Sequence, residues 1–365
     1  MHRKLALATA ALLMFGMTAC TPQQGSENRK IIEKPNQKLT VLEDTDKQKN
    51  NQVTLEKVER IENALGLDWL SNEAILVARE NTQLKQIPIE GSLMYPRNLN
   101  AFNLGNKEFS LLRNDSAIQG GALVSPDGKH IFYQNFIEAM GTGFITDAAG
   151  KSTTQVTGSG DSSIFNGQWV NNQQILLQNQ TGKIYLADTS GQQETLLTIK
   201  MPIANNVAVV DKKLYYNKPN GQLFVVDLQT KESKQLKDNV VWVIPAPKGD
   251  GLALVKRTGE TSMTLVLTDM EGNDQTYLSE GTQVFGTSWS PDQTKIAYTV
   301  ISEGPGLNGL FVADVKTGKI TQLSADIGYA AGQVRWSPDS KKLVVANFEA
   351  KGDKNVPITY VFTIK

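Results

Sequence analysis

The sequence predicts an all-β fold built from a repeated four-stranded unit, on three observations. Trp289-Ser290-Pro291-Asp292 recurs 47 positions later as Trp336-Ser337-Pro338-Asp339. Each copy leads into a strand-like run, Lys295-Ile296-Ala297-Tyr298 and Lys342-Leu343-Val344-Val345. Apolar runs ending in Asn or Asp recur at Asn103, Asp147, Asp188, Asp227, Asp269 and Asp314, which is 211 residues in five steps, or about 42 per step. From about residue 53 onward, short apolar runs are bounded by Gly, Asn, Asp and Pro, the pattern of strands joined by tight turns. A period of roughly 40–45 residues is that of one blade of a β-propeller. The expected fold is a seven-bladed β-propeller, with six or eight blades as alternatives.

The chain opens with His2, Arg3 and Lys4, then an apolar stretch from Leu5 to Ala19. Fifteen apolar residues are too few for a spanning helix, which needs roughly 20. They read as a cleaved signal segment over residues 1–19. Met17-Thr18-Ala19-Cys20 resembles the bacterial lipoprotein processing box, although Met17 stands where Leu is usual. That resemblance implies cleavage before Cys20, a lipid on its sulfur and an extracytoplasmic, membrane-anchored protein. In a Gram-negative cell this means outer membrane or periplasm. Cys20 is the single cysteine, so a lipidated chain has no thiol for a disulfide, a metal or a nucleophile. Removing Arg3 and Lys4 with the signal leaves 35 basic against 37 acidic residues. With no basic stripe, nucleic-acid binding has no electrostatic support.

Residues 20–52 are polar, with Ile31, Ile32, Leu39, Val41 and Leu42 the strongly apolar exceptions. So little apolar surface cannot offset the entropy of ordering. A flexible tether is expected, with at most a short strand at Leu39–Leu42. The propeller is expected over residues 53–365.

Within that body, a Trp strand and its turn mark each inner strand. They read as Asp68-Trp69, Leu123-Val124-Ser125-Pro126-Asp127, Gln168-Trp169, a degenerate Val209-Val210-Asp211, Val241-Trp242, and the two full copies. Pro sets φ and Asp bonds its own backbone in tight turns. The repetition itself argues for scaffold, since a turn residue serves every blade and a catalytic residue serves once. The seventh unit runs out of chain after three strands. Val53–Val58 lies where the missing fourth belongs, so the N-terminal strand is expected to close the ring and cover its last edge.

The Ser125-Pro126-Asp127-Gly128-Lys129 turn and the Trp-Ser-Pro-Asp copies resemble the WD40-like repeats of TolB-type propellers, over roughly residues 53–365. Residues 21–52 are too short for the N-terminal α/β domain of TolB, and no hydrolase domain follows the propeller as in oligopeptidase-type enzymes. A lipoprotein box on a bare propeller is similar to Gram-positive lipoproteins of the YqgU type, and to BamB-like lipoproteins. A fold of this kind does not set function.

Catalytic signatures are thin. No G-x-S-x-G occurs. The mature chain would hold one histidine, His130, at a strand start. Neither a zinc set nor a calcium loop is present, so no metal and no cofactor is expected. A carboxylate pair from distant loops leaves no local trace, which keeps a glycosidase-like hydrolase, with its site in the channel, as the alternative. The main expectation is a monomeric, non-catalytic binding or scaffold protein for a protein, peptide or envelope polymer. Its binding residues are expected in the variable B–C and D–A loops, where function tends to sit on a rigid scaffold. They are Tyr95 and Arg97 in the longest loop, Phe136 and Glu138, and a rim of Phe165, Phe285 and Tyr329.

Overall fold

The computed structural model describes residues 29–34, 37–42, 53–89, 91–137, 140–157, 164–200, 206–303, 306–327, 332–352 and 354–365. Of residues 29–42, 137, 140 and 164–166 it describes the backbone alone. The signal segment and Cys20, with Glu138 and Tyr329, lie outside the described residues.

Seven four-stranded antiparallel sheets form the blades of a propeller, the fold class expected from the repeat. Blades 1 to 6 span residues 65–111, 118–155, 164–198, 206–237, 240–281 and 283–324. In each the strands pair in chain order, A inside to D outside. Blade 7 takes its A, B and C strands from Arg335–Trp336, Lys342–Lys351 and Lys354–Ile364. Its D strand is Leu55–Glu62 from the other end of the chain. The pairing runs from Leu55 opposite Ile364 to Glu62 opposite Ile358. Thr54 and Lys365 exchange both backbone hydrogen bonds at 2.9 Å. The closing strand therefore exists and ends four residues later than the expected Val58.

Core side chains lie in the seams between blades, because each sheet buries both faces against its neighbours. Leu123, Phe132 and Ile145 of blade 2 pack on Ile175, Leu177 and Tyr185 of blade 3. Val312 and Leu323 of blade 6 pack on Leu343, Val345 and Phe362 of blade 7. Each such buried side chain contributes about 1.5–3 kcal/mol of transfer free energy.

The Trp anchor joins neighbouring blades. The indole Nε1 donates to a backbone carbonyl of the preceding inner strand in four blades. The pairs are Trp69 to Arg335, Trp169 to Leu123, Trp289 to Ile244 and Trp336 to Ser288, at 2.9 to 3.1 Å. Each acceptor is the residue before that blade's own anchor. By this rule Val124 and Pro245 are the anchors of blades 2 and 5, and Trp242 stands three residues early. The six-residue turn after Pro245 lacks the Ser-Pro-Asp spelling, and Trp242 to Pro245 pair in unbroken register with Val255 to Leu252, so the anchor position falls to Pro245.

The full turns are alike in detail. Ser290 Oγ donates to Asp292 Oδ1 at 2.6 Å and accepts from Lys295 N at 2.9 Å. Ser337 repeats this with Asp339 and Lys342. Asp292 N donates to Ser340 Oγ, and Asp339 N to Asn72 Oδ1, so adjoining turns are linked. A bulge interrupts the inner strand of blade 2 between Gly120 and Leu123, and of blade 6 between Phe285 and Ser288. Gly121 and Gly286 take φ of 57° and 62° there, a conformation that suits glycine.

In the segment read as a tether, Arg29–Lys34 and Gln37–Leu42 pair as an antiparallel hairpin. Its strands carry the few apolar residues of that segment, Ile31, Ile32, Leu39, Val41 and Leu42.

Candidate functional site

The A–B and C–D turns crowd one end of the ring, and the longer connections crowd the other. Blades 7 and 1 carry the most extra chain at the loop end. In blade 7 the B and C strands are 10 and 11 residues long. In blade 1 the B–C connection, residues 81–96, folds into a small hairpin of Ile87–Ile89 and Ser92–Met94.

Under that connection lies a buried amide cluster where blades 1 and 2 meet. Asn81 Nδ2 donates to Asn98 Oδ1 and to Asn114 Oδ1, both at 2.9 Å. Asn98 Nδ2 donates to the Asp115 carbonyl at 2.8 Å. Asn135 Nδ2 donates to Asp115 Oδ2 at 3.2 Å, and Gln119 Oε1 accepts from Leu99 N at 2.9 Å. Gln119 Nε2 and Asn135 Oδ1 are buried without a hydrogen-bond partner. Unsatisfied buried amide groups cost about 1–3 kcal/mol each, and sites that spend stability this way are often ligand sites.

A second constellation sits lower, in the channel. The residues before the seven anchors are Asp68, Leu123, Gln168, Ala208, Ile244, Ser288 and Arg335, at one level of the inner strands. Asp68 and Arg335 are the charged ones, on neighbouring blades. Asp68 Oδ2 accepts from Val124 N of blade 2 at 2.8 Å, and Oδ1 from Trp69 N at 2.9 Å. Gln168 bridges blade 3 to blade 4 likewise, through Val209 N at 2.9 Å and Val209 O at 3.2 Å. Burial pushes the Asp68 carboxyl above the usual aspartate range, against the pull of Arg335 and two backbone donors.

A third cluster lies on the blade 7 strands. Arg60 donates through Nη1 to Glu62 and through Nη2 to Glu349 at 2.7 Å. Tyr360 Oη donates to Glu349 Oε1 at 2.8 Å. Glu62 stands on the outer strand of the blade and Glu349 on its B strand, joined through this one guanidinium.

The expected binding residues divide. Arg97 opens the C strand of blade 1 opposite Glu80, and Tyr95, partly buried, precedes it. Phe136 is the next-to-last residue of the B strand of blade 2, opposite Ile118 and Gly141. These three border the amide cluster. Phe165 and Phe285 occupy equivalent places, each the last pair before the bulge of its inner strand. They lie on strands rather than in D–A loops, because those strands begin before the bulge. The sequence reading missed Asn81, Asn98, Asn114, Asp115, Gln119 and Asn135. Amides carry no local motif, and strand pairing brings these together.

No protein-family model and no curated protein matches the chain. Solved structures do. An oligogalacturonate lyase in complex with manganese aligns over 92% of this chain and 96% of its own, at 12% identity and TM-score 0.63. The oligogalacturonate lyase of Vibrio parahaemolyticus aligns over the same shares, at 13% identity and TM-score 0.59. A chain of the mitotic checkpoint complex aligns over 98% of both chains, at 18% identity and TM-score 0.55. TolB from Acinetobacter baumannii also aligns, over 80% of both chains at 15% identity, with a TM-score of 0.48. The first three likenesses show the fold.

They also correct the expected function. The non-catalytic reading rested on the lack of a catalytic motif in a propeller and on its variable loops. The two lyases are enzymes, and nearly their whole chains align with this one, so a bare propeller is no argument against catalysis. The expected non-catalytic role loses that support. Among the described residues, no group of three or more His, Cys, Asp or Glu could hold a metal ion.

Proposed function

We propose that the protein is an enzyme that cleaves glycosidic bonds of an anionic oligosaccharide entering the channel from the loop end. The observation that carries this reading is the Asp68–Arg335 pair, the charged residues of the inner ring. A departing glycosidic oxygen needs a proton, and a carboxyl whose pKa is raised by burial holds one to higher pH. The Arg335 guanidinium beside it is suited to a sugar carboxylate, which it can bind through two parallel hydrogen bonds. The substrate named for the two lyases, an oligogalacturonate, has the charge that Arg335 calls for.

The test is an assay of new reducing ends on a set of uronate oligosaccharides, with wild type and Asp68→Asn. Loss of a general acid costs about 10²–10⁴ in rate. Wild-type cleavage with a loss of that size supports the reading, and absence of cleavage across the set overturns it. Proton donation to the leaving oxygen serves hydrolysis and elimination alike. Ultraviolet absorbance of an unsaturated product separates the two.

The same reading includes a lipid on Cys20 that holds the propeller at the outer side of a membrane, after removal of residues 1–19. The processing box supports it. Membrane fractionation that is unchanged in a Cys20→Ser variant would count against it.

A further inference from the structure

Away from the channel, the outer strands of blade 5 enclose an open groove of about 540 Å³ beside blade 4. Lys256, Thr258, Thr264, Asp274, Tyr277 and Glu280 line it. We infer that this groove is a second carbohydrate site, which holds one uncharged pyranose unit of a glycan against the ring of Tyr277.

Tyr277 is 58% exposed and lines the groove. Its hydroxyl donates to Glu280 Oε2 at 3.1 Å, which anchors the ring and leaves its surface in solvent. Aromatic rings bury apolar sugar C–H faces at little entropic cost, since the ring has few rotatable bonds. An edge strand needs charge to avoid pairing with another chain, and Asp274 with its lysines meets that need. An exposed Tyr above a groove does not.

The polar wall is built to meet hydroxyl groups. Ser262 Oγ donates to Glu280 Oε1 at 2.5 Å, and Thr258 Oγ1 lies 3.1 Å from both Ser262 Oγ and Thr264 Oγ1. Each Glu280 oxygen keeps a lone pair for a further donor. The Ser262 and Tyr277 hydroxyls hold the Glu280 carboxyl below its usual range, so it stays an acceptor at neutral pH.

Charge selects the ligand. Asp274 takes Lys237 on Oδ1 at 2.9 Å and Lys256 on Oδ2 at 2.6 Å. Two lysines stand against two carboxylates, so the groove is balanced. An anionic sugar would meet Glu280, and a cationic one would meet the lysines. A neutral hexose meets neither penalty. This sets the groove apart from the channel, where Arg335 favours an anion.

The experiment is calorimetric titration of the full chain with maltohexaose, cellohexaose and chitohexaose. Binding of at least one is expected, weakened about tenfold or more by Tyr277→Ala, which corresponds to about 1.4 kcal/mol. Tyr277→Phe should keep most of the affinity, because the ring remains. Thermal melts of both variants check that this exposed position leaves the fold intact. No binding by any of the three neutral hexaoses, or equal affinity in Tyr277→Ala, overturns the inference. Binding of an uncleaved neutral sugar reads this groove, and cleavage of an anionic one reads the channel, so the two proposals fail separately.

Discussion

The indole Nε1 of Trp336 donates to the carbonyl of Ser288 at 3.1 Å, and this bond ties the inner strand of blade 7 to that of blade 6. The same bond recurs from Trp69 to Arg335, across the seam that joins the last blade to the first. These tryptophans do two things at once. They fill the wedge between two sheets, and they satisfy a carbonyl on an inner edge that no further strand covers.

The two roles separate on substitution. Trp336→Phe keeps an aromatic ring and loses the donor, so the Ser288 carbonyl goes unpaired. A loss of about 1 kcal/mol is expected, near the usual net worth of one hydrogen bond. Trp336→Ala also opens a cavity and should cost about 3–5 kcal/mol. Urea denaturation midpoints for the two variants check the ordering. Equal midpoints for Phe and Ala would show that the donor, rather than the packing, dominates.

Ring closure makes a second expectation. Residues 358–365 pair with Leu55–Glu62 on one side and with the B strand of blade 7 on the other. Deleting them exposes two long strand edges and breaks the Thr54–Lys365 exchange. The propeller is expected to lose its single cooperative melt, with melting far below that of the full chain. A truncated protein whose thermal transition is unchanged would remove the closure from any role in stability.

The C–D turns make stability depend on acid pH. Asp147 accepts from Ala149 N, Lys151 N, Ser152 N and Ser152 Oγ at 2.7 to 3.1 Å. The Ser152 hydroxyl bond and the turn amides hold its carboxyl well below the usual range. Asp188 and Asp269 are lowered by the same kind of turn, led by Ser190 and Asn273 respectively. A lowered folded pKa contributes stability above the unfolded value, near 3.8, that is lost as pH falls through the folded one. Melting temperature should therefore drop below about pH 4, and Asp147→Asn should flatten that drop. An Asp147→Asn profile parallel to wild type would contradict this origin.

Much of this scaffold was legible before any coordinates, and the reason is physical. A blade turn must satisfy the same backbone groups every time, so Ser-Pro-Asp and the Asp-to-Gly turns recur in the sequence. Trp242 misled because composition shows a tryptophan near the right place, while the anchor position is defined by register and is held by Pro245. The site was much less legible. Asn81, Asn98, Asp115 and Asn135 come from four separate stretches and meet through strand pairing. Asp68 stands beside an anchor, and its difference from Gln168 or Ser288 emerges when the seven inner strands are aligned in space. The groove at Tyr277 likewise needs three strands of one blade.

Asp68 connects activity to stability, and this gives the last expectation. Its carboxyl bridges blade 1 to blade 2 through Val124 N, as the Gln168 amide bridges blade 3 to blade 4. An amide at this level thus does the structural task without a charge. Because burial raises the folded pKa of Asp68, the folded state holds the proton more tightly than the unfolded chain. Its contribution is most favourable below the unfolded value and falls as pH rises through the folded one. Asn carries no such dependence and keeps one acceptor for Val124 N. The melting temperature of Asp68→Asn should therefore gain on wild type as pH rises from about 4 to 7, while glycosidic cleavage is lost. Gaining stability by losing the charged group is the pattern of a site kept for function. If instead the gap between variant and wild type is constant over that range, Asp68 is ionised alike in both states, and its case as a proton donor falls with it.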